Sequence, residues 1–189
     1  MSKYQDTRSI GKKGYLYVMS YPNRRDKHKI GYTLKEPNER AKSIKYRQKL
    51  SETPIVQYFV LIENPWEIEQ SAHSIIFKDR INGYEIGEGK EWFNCSLERA
   101  IWAIRKAINI KKINNPKVLI VKEYFKYDLY RGLVDKYTRE QEIEECKRKK
   151  ELAKELEIYR KKQYEKANEK WNNYLLIFIV IILIFLFSR

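Results

Sequence analysis

The chain has only two cysteines, Cys95 and Cys146, far apart and without metal-ligand spacing. That excludes a disulfide framework and a cysteine zinc site, and it points to a reducing compartment. The opening Met1-Ser-Lys-Tyr-Gln-Asp has no apolar run, so no secretory signal is expected. No zinc finger or helix-turn-helix is visible, so any sequence preference must come from the main domain or from a partner. Proline and glycine are absent from about Leu133 to Trp171, which leaves that stretch free to run as one helix. Charge is absent from one long stretch alone, Tyr174 to Phe187 (YLLIFIVIILIFLF).

That run sits behind more than 170 residues rich in charge, the order of a tail-anchored protein. Fourteen apolar residues at a helical rise reach about 21 Å, against a hydrocarbon core of about 30 Å. Trp171, Asn172, Asn173 and Ser188 extend it to eighteen, enough for a thin or locally deformed bilayer. Trp171 and Tyr174 occupy the interfacial positions, with Lys166 and Lys170 as the cationic flank. Residues 171–189 are therefore expected to form a C-terminal transmembrane helix, single-pass, with the basic head on the cytosolic side. A buried core helix is the alternative, but it would show a polar face and this run shows none.

The net charge of +14 is uneven. Residues 1–120 carry 23 Lys+Arg against 13 Asp+Glu, whereas residues 121–173 carry 15 against 12. The basic excess thus belongs to the N-terminal part, where it favours a polyanion such as nucleic acid or an anionic lipid surface. The second segment, near balance, reads as a solvated helix.

Four segments follow: a loose N-terminus (1–13), a domain (14–120), a charged helical stalk (121–170) and the anchor (171–189). Tyr15-Leu-Tyr-Val-Met and His28-Lys-Ile-Gly-Tyr-Thr read as a hairpin around the turn Pro22-Asn-Arg-Arg-Asp. Pro37, with Glu36 and Glu39 at the positive end, opens a helix to about Leu50. Pro54–Glu63 is a strand rich in Val, Ile, Tyr and Phe. Asn64-Pro65-Trp66-Glu67 starts a helix to about Lys78, with Asn64 as N-cap. After a loop over Gly83–Gly89 come a short extended piece from Glu91 and a helix capped by Ser96, to about Ile110. Lys117-Val-Leu-Ile-Val is a candidate for one more strand. The order ββαβαβα predicts an α/β (α+β) domain with a small, mainly antiparallel sheet. In the stalk, Glu145–Lys149 and Glu157–Lys161 sit four apart, a spacing that supports an exposed helix. Ile143, Leu152, Leu156 and Tyr159 are too sparse for a clear heptad seam, so a homodimer through the stalk has little support.

Five pieces stand in order: Gly14-Tyr-Leu-Tyr17-Val-Met, Lys29-Ile-Gly31-Tyr-Thr, Glu39-Arg40-Ala-Lys, Glu69-Gln-Ser-Ala-His73 and Gly89-Lys-Glu91-Trp-Phe93. Together, over about residues 14–108, they resemble a GIY-YIG nuclease domain, most of all the branch found in phages and large DNA viruses. The resemblance implies one phosphodiester-cleaving site. Tyr17 would orient or activate the attacking water, and Arg40 would neutralise charge on the scissile phosphate, a task suited to a planar, permanently charged fork of donors. Glu69 would hold one divalent metal, Mg²⁺ or Mn²⁺. Gly31 would let the backbone of the second strand pass close to the site. Lys29 stands where the second-motif tyrosine belongs, and the asparagine found in other branches has no clear counterpart; Asn82 is nearest. His73, one turn after Glu69, would either support the metal glutamate and carry a proton or be merely a satisfied histidine at the core's edge.

Each assignment has a plainer reading. Tyr17 is one of fifteen tyrosines, and a strand tyrosine is usually packing. Arg40, Lys42, Lys45 and Lys49 at three- and four-residue spacing would also suit a solvated helix face. Glu69 lies near a helix start, where a carboxylate helps through the dipole. Trp92 and Phe93 read as core, and Glu91 either helps the site or caps its strand. Taken together, the expected function is a membrane-tethered, metal-dependent endonuclease acting on DNA, with Lys42, Lys45, Lys49 and Arg80 contacting the nucleic acid. The rivals are a catalytically silent nucleic-acid binder and a membrane-surface scaffold with a basic face for anionic lipid.

Overall fold

The computed structural model describes residues 11–22, 24–79, 91–115 and 120–187. Arg80, Asn82, the Gly83–Gly89 loop and the start of the Gly89-Lys-Glu91 motif lie outside the described residues. The chain forms two compact units, Met1–Arg139 and Glu140–Arg189.

The first unit is an α+β domain. Strands β1 (Lys13–Tyr21) and β2 (Arg24–Thr33) form the expected hairpin, followed by α1 (Pro37–Arg47), β3 (Ile55–Glu63) and α2 (Pro65–Ile75). A short 3₁₀ turn (Phe77–Asp79), β4 (Trp92–Asn94), α3 (Leu97–Asn114), β5 (Ile120–Phe125) and α4 (Asp128–Phe187) complete the described elements. Every described strand pair is antiparallel, in the order β4-β2-β1-β3-β5. The expected extra strand exists, described over Ile120–Phe125, and pairs with β3 as the sheet's far edge.

Alternation along the central strands divides the core in two. Leu16, Val18, Ile30, Tyr58, Val60 and Ile62 face α2 and α3, and Val134 from the first turns of α4 is buried among them. Tyr17, Met19, Val56 and Trp92 face α1, which contributes Ala41 and Ile44. Arg105 on α3 ties the α2/α3 side to its neighbours. It forks onto Glu123 of β5 at 2.8 and 3.0 Å and reaches Asp135 of α4 at 2.5 Å, while the Tyr58 hydroxyl donates to the same Glu123 at 2.7 Å. The domain's core therefore takes in residues beyond 120.

Two local readings need correction. Asn64 does not cap α2 with its side chain. It sits at φ +51°, and its Oδ1 accepts instead from the Gly11 amide at 2.6 Å. Helix α1 ends at Arg47, short of Leu50, because Lys49 adopts φ +52°. The Leu50 amide then donates to the Lys45 carbonyl and the Lys49 amide to that of Tyr46, a Schellman closure with Lys49 where glycine is usual.

In the second unit the ion pairs Glu145–Lys149 and Glu157–Lys161 form at 3.3 Å each. Both are exposed and worth a few tenths of a kcal/mol at most. Helix α4 runs to Phe187, with Ser188 and Arg189 outside the described residues. Among the described residues no helix is long and apolar enough to cross a membrane, so the expected transmembrane helix finds no support in the fold.

Candidate active site

The site is built around the middle of the sheet. Tyr17, fully buried on β1, pairs across the ladder with Gly31 on β2. A Cβ added at Gly31 would stand 2.7 Å from the Tyr17 Cζ and closer still to its hydroxyl. Glycine fits there because the hydroxyl end of the phenol occupies the space that a Cβ would take.

Strand β4 covers β2 at Lys27–Lys29, and the Glu91 carbonyl extends the pairing by accepting from the Ile30 amide at 3.3 Å. Past that point two side chains of α2 meet the backbone of β2. Glu69 Oε1 accepts from the Tyr32 amide at 3.1 Å, and His73 Nε2 donates to the Ile30 carbonyl at 3.0 Å. A carbonyl can only accept, so the His73 proton sits on Nε2. The spacing of four puts both on one helix face, and both are buried.

Lys29 is wholly buried beside Tyr17, an unusual place for an ammonium. Glu91 answers it with an ion pair, and Trp92 lies beneath, its ring centroid 6.0 Å from Nζ and its indole donating to Gln48 at 3.1 Å. Arg40, half-buried on α1, completes the cluster. Its Nε is buried without a hydrogen-bond partner, while the side chain acts on the Tyr17 hydroxyl through its charge and a hydrogen bond.

The electrostatics follow from burial and these neighbours. Desolvation pushes the Tyr17 hydroxyl well above the usual phenol range, opposed by Arg40, so it stays protonated. Burial raises the Glu69 carboxyl to about 8, helped by the nearby Glu91 charge and opposed by Lys29. Burial lowers Lys29, against the pull of Glu91. Burial alone would raise Glu91, but Lys29 holds it below the usual carboxylate range, with His73 and Arg40 acting the same way.

The structure thus brings Tyr17, Lys29, Arg40, Glu69 and His73 together in one cluster. Trp92 and Phe93 are core, as read. Lys42 is exposed on α1, Lys45 is half-buried, and Lys49 closes the end of the helix. Glu91 is the residue whose part was least legible. Its position in a short polar motif carried no sign that it neutralises a buried lysine sixty-two residues away.

The profile of the T5orf172 domain matches residues 14–109, just over half of the chain. The chain belongs to the T5orf172 domain family. That domain is phage-associated, with a nuclease-type fold. The T5orf172 match runs from the start of β1 into α3, so it contains all five clustered residues and leaves β5 and α4 outside. No curated protein and no solved structure matches the chain.

Among the described residues no group of three or more His, Cys, Asp or Glu could hold a metal. Glu69 is the carboxylate that could hold one cation together with water and substrate: its ionised form, disfavoured by burial, would gain from an adjacent divalent charge. Mg²⁺ is commonly held this way, by one or two carboxylates with water and substrate phosphate filling the other positions.

Proposed function

We propose that this T5orf172 protein is a metal-dependent endonuclease of the GIY-YIG type, hydrolysing DNA phosphodiester bonds. The observation that carries the reading is the convergence of Tyr17, Arg40 and Glu69 around Gly31, where a backbone without a side chain leaves the phenol in place. Glu69, with water and phosphate oxygens, would hold Mg²⁺ or Mn²⁺, and the bound cation would supply Lewis-acid charge at the phosphate.

The protein's own groups do the remaining work. The Arg40 guanidinium, with an unsatisfied Nε, binds the phosphate and stabilises charge as it grows on the non-bridging oxygens. The Tyr17 hydroxyl, held neutral, accepts a hydrogen bond from the attacking water and orients it in line with the leaving oxygen. Water adds to phosphorus, the P–O bond to the leaving sugar breaks, and the water's proton passes through ordered solvent towards that oxygen. Lys29, paired with Glu91, adds positive potential beneath the phosphate. His73 holds the β2 backbone through Ile30 and so positions Gly31. Lys42, Lys45 and Arg80 contribute basic charge along the nucleic acid.

Plasmid cleavage by the full chain in detergent tests this, with Mg²⁺, Mn²⁺ or EDTA and beside Glu69→Ala. Metal-dependent nicking that vanishes in the variant is expected. Binding without cutting, identical in both proteins, would leave a silent nucleic-acid binder, a reading favoured by Lys29 in the second tyrosine's place. Attachment to a membrane rests on the Tyr174–Phe187 run in the sequence; we infer a tether through residues 171–189 with the head cytosolic. Flotation with liposomes checks it, and loss of 174–189 should release the protein. Salt-sensitive liposome binding that persists without that run, and without DNA binding, would indicate the scaffold.

A further inference from the structure

The ladder row that carries Gly31 and Tyr17 continues through Phe59 on β3 to Tyr124 on β5. Phe59 and Tyr124 stack with centroids 4.7 Å apart and planes 20° apart, and Tyr15 meets Phe59 edge-on at 5.6 Å. Tyr124 is 42% exposed on the outermost strand. Alternation along β5 places Lys122 on the same face as Tyr124, and Lys126, the first residue past the strand, lines the cleft beside it. Between this stripe and α1 lies a cleft of about 550 Å³, lined by Phe59, Tyr124, Lys126 and Lys42. Its one lining carboxylate, Glu36, accepts from the Tyr15 hydroxyl at 2.9 Å.

The opposite face of the sheet is filled by α2, α3 and the first turns of α4. On this face α1 packs beside Tyr17, Met19 and Val56, leaving the Phe59–Tyr124 pair half open. A cross-strand aromatic pair needs no flanking cations to stabilise a sheet. Stacking on Phe59 fixes the Tyr124 ring and leaves its outer face, beside lysines, as the surface that a stacked base with phosphates on either side requires. Lipid headgroups or acidic peptides would be served by the lysines alone.

We propose that the Phe59–Tyr124 stack, with Lys42, Lys122 and Lys126, holds an unpaired stretch of the substrate strand. The substrate class is therefore DNA with a single-stranded segment beside the cut, gripped about 10 Å, or two strand spacings, from Tyr17. The location of the cut rests on the nuclease reading above; the platform itself does not.

The test uses the full chain carrying Glu69→Gln, so that cutting does not interfere. A DNA with a single-stranded tail containing 5-iodo-deoxyuridine is irradiated, and the cross-link is mapped by mass spectrometry. The cross-link is expected at Tyr124 or Phe59. Tyr124→Ala should weaken binding of tailed DNA about tenfold and leave blunt duplex binding unchanged, while Tyr124→Trp restores it. Lys122→Gln and Lys126→Gln should each reduce the salt slope by about one. A cross-link elsewhere, or equal loss on tailed and blunt DNA, overturns the platform. In parallel, wild-type protein that cross-links through Tyr124 yet never cuts would sink the nuclease reading and leave the platform standing. Efficient cutting of blunt duplex with no gain from a tail would do the reverse.

Discussion

The Tyr17 ring lies against the α-carbon of Gly31 across the ladder, with no space for a methyl group between them. This contact fixes where the phenol can sit, because β1 is the central strand and neither backbone can withdraw without breaking pairs on both sides.

Gly31→Ala should therefore displace the ring. Overpacking of this kind costs about 1–3 kcal/mol. A hydroxyl moved by an ångström should cost about 100-fold in cleavage. Thermal unfolding and nicking rates measured together check it. An alanine variant of normal stability and rate would show that the contact yields.

The Lys29–Glu91 pair is asymmetric. Lys29 is fully buried while the Glu91 side chain is 43% exposed. Removing the glutamate strands an ammonium in the core, a change that typically costs about 3–5 kcal/mol. Replacing the lysine leaves a carboxylate that water can still reach. Glu91→Gln should thus be clearly destabilising, and Lys29→Met near neutral. Urea denaturation of both compares them; equal costs would contradict the argument. If Lys29 assists phosphate binding, Lys29→Met should fold well and cut poorly.

These two contacts mark the limit of what the sequence discloses. Local chemistry was readable: Pro37 and Pro65 start helices, Ser96 caps α3 by accepting from the Arg99 amide at 3.2 Å, and the strand at Ile55–Glu63 has the residues strands prefer. The motif order was enough to gather Tyr17, Arg40 and Glu69. Long-range pairing was not readable. Lys27, His28 and Lys29 look like a polar, exposed run, yet β4 and Glu91 bury all three. Asn64 has cap chemistry, but Gly11 claims its oxygen from the far end of the domain. Tyr124 became part of a surface only when β5 paired with β3.

Lys49 offers a local test. It occupies the left-handed position that closes α1, at φ +52°. A side chain there costs about 1 kcal/mol relative to glycine. Lys49→Gly should raise stability by about that amount, seen as a higher melting temperature. If Lys49 also contacts nucleic acid, the same variant should bind DNA more weakly and with a shallower salt dependence. A more stable protein with unchanged binding would remove Lys49 from the interface.

Glu69 gives a prediction whose sign is set by its shift. Its carboxyl titrates near 8 in the folded chain against 4.5 unperturbed, because burial disfavours the charge. The fold therefore prefers the protonated acid. The associated stability is fully present below about 4.5 and is lost as pH rises through about 8. Without metal, Glu69→Gln should match wild type in acid and exceed it in melting temperature above pH 8. A divalent cation must displace the proton, so its apparent affinity should rise about tenfold per pH unit up to about 8 and then level. Thermal shifts with Mg²⁺ and Mn²⁺ across pH 6–9 measure both effects. Metal stabilisation that grows with pH in wild type and is absent in Glu69→Gln would identify the carboxylate as the ligand independently of cleavage. A pH-independent shift, or one retained by the variant, would place the cation elsewhere.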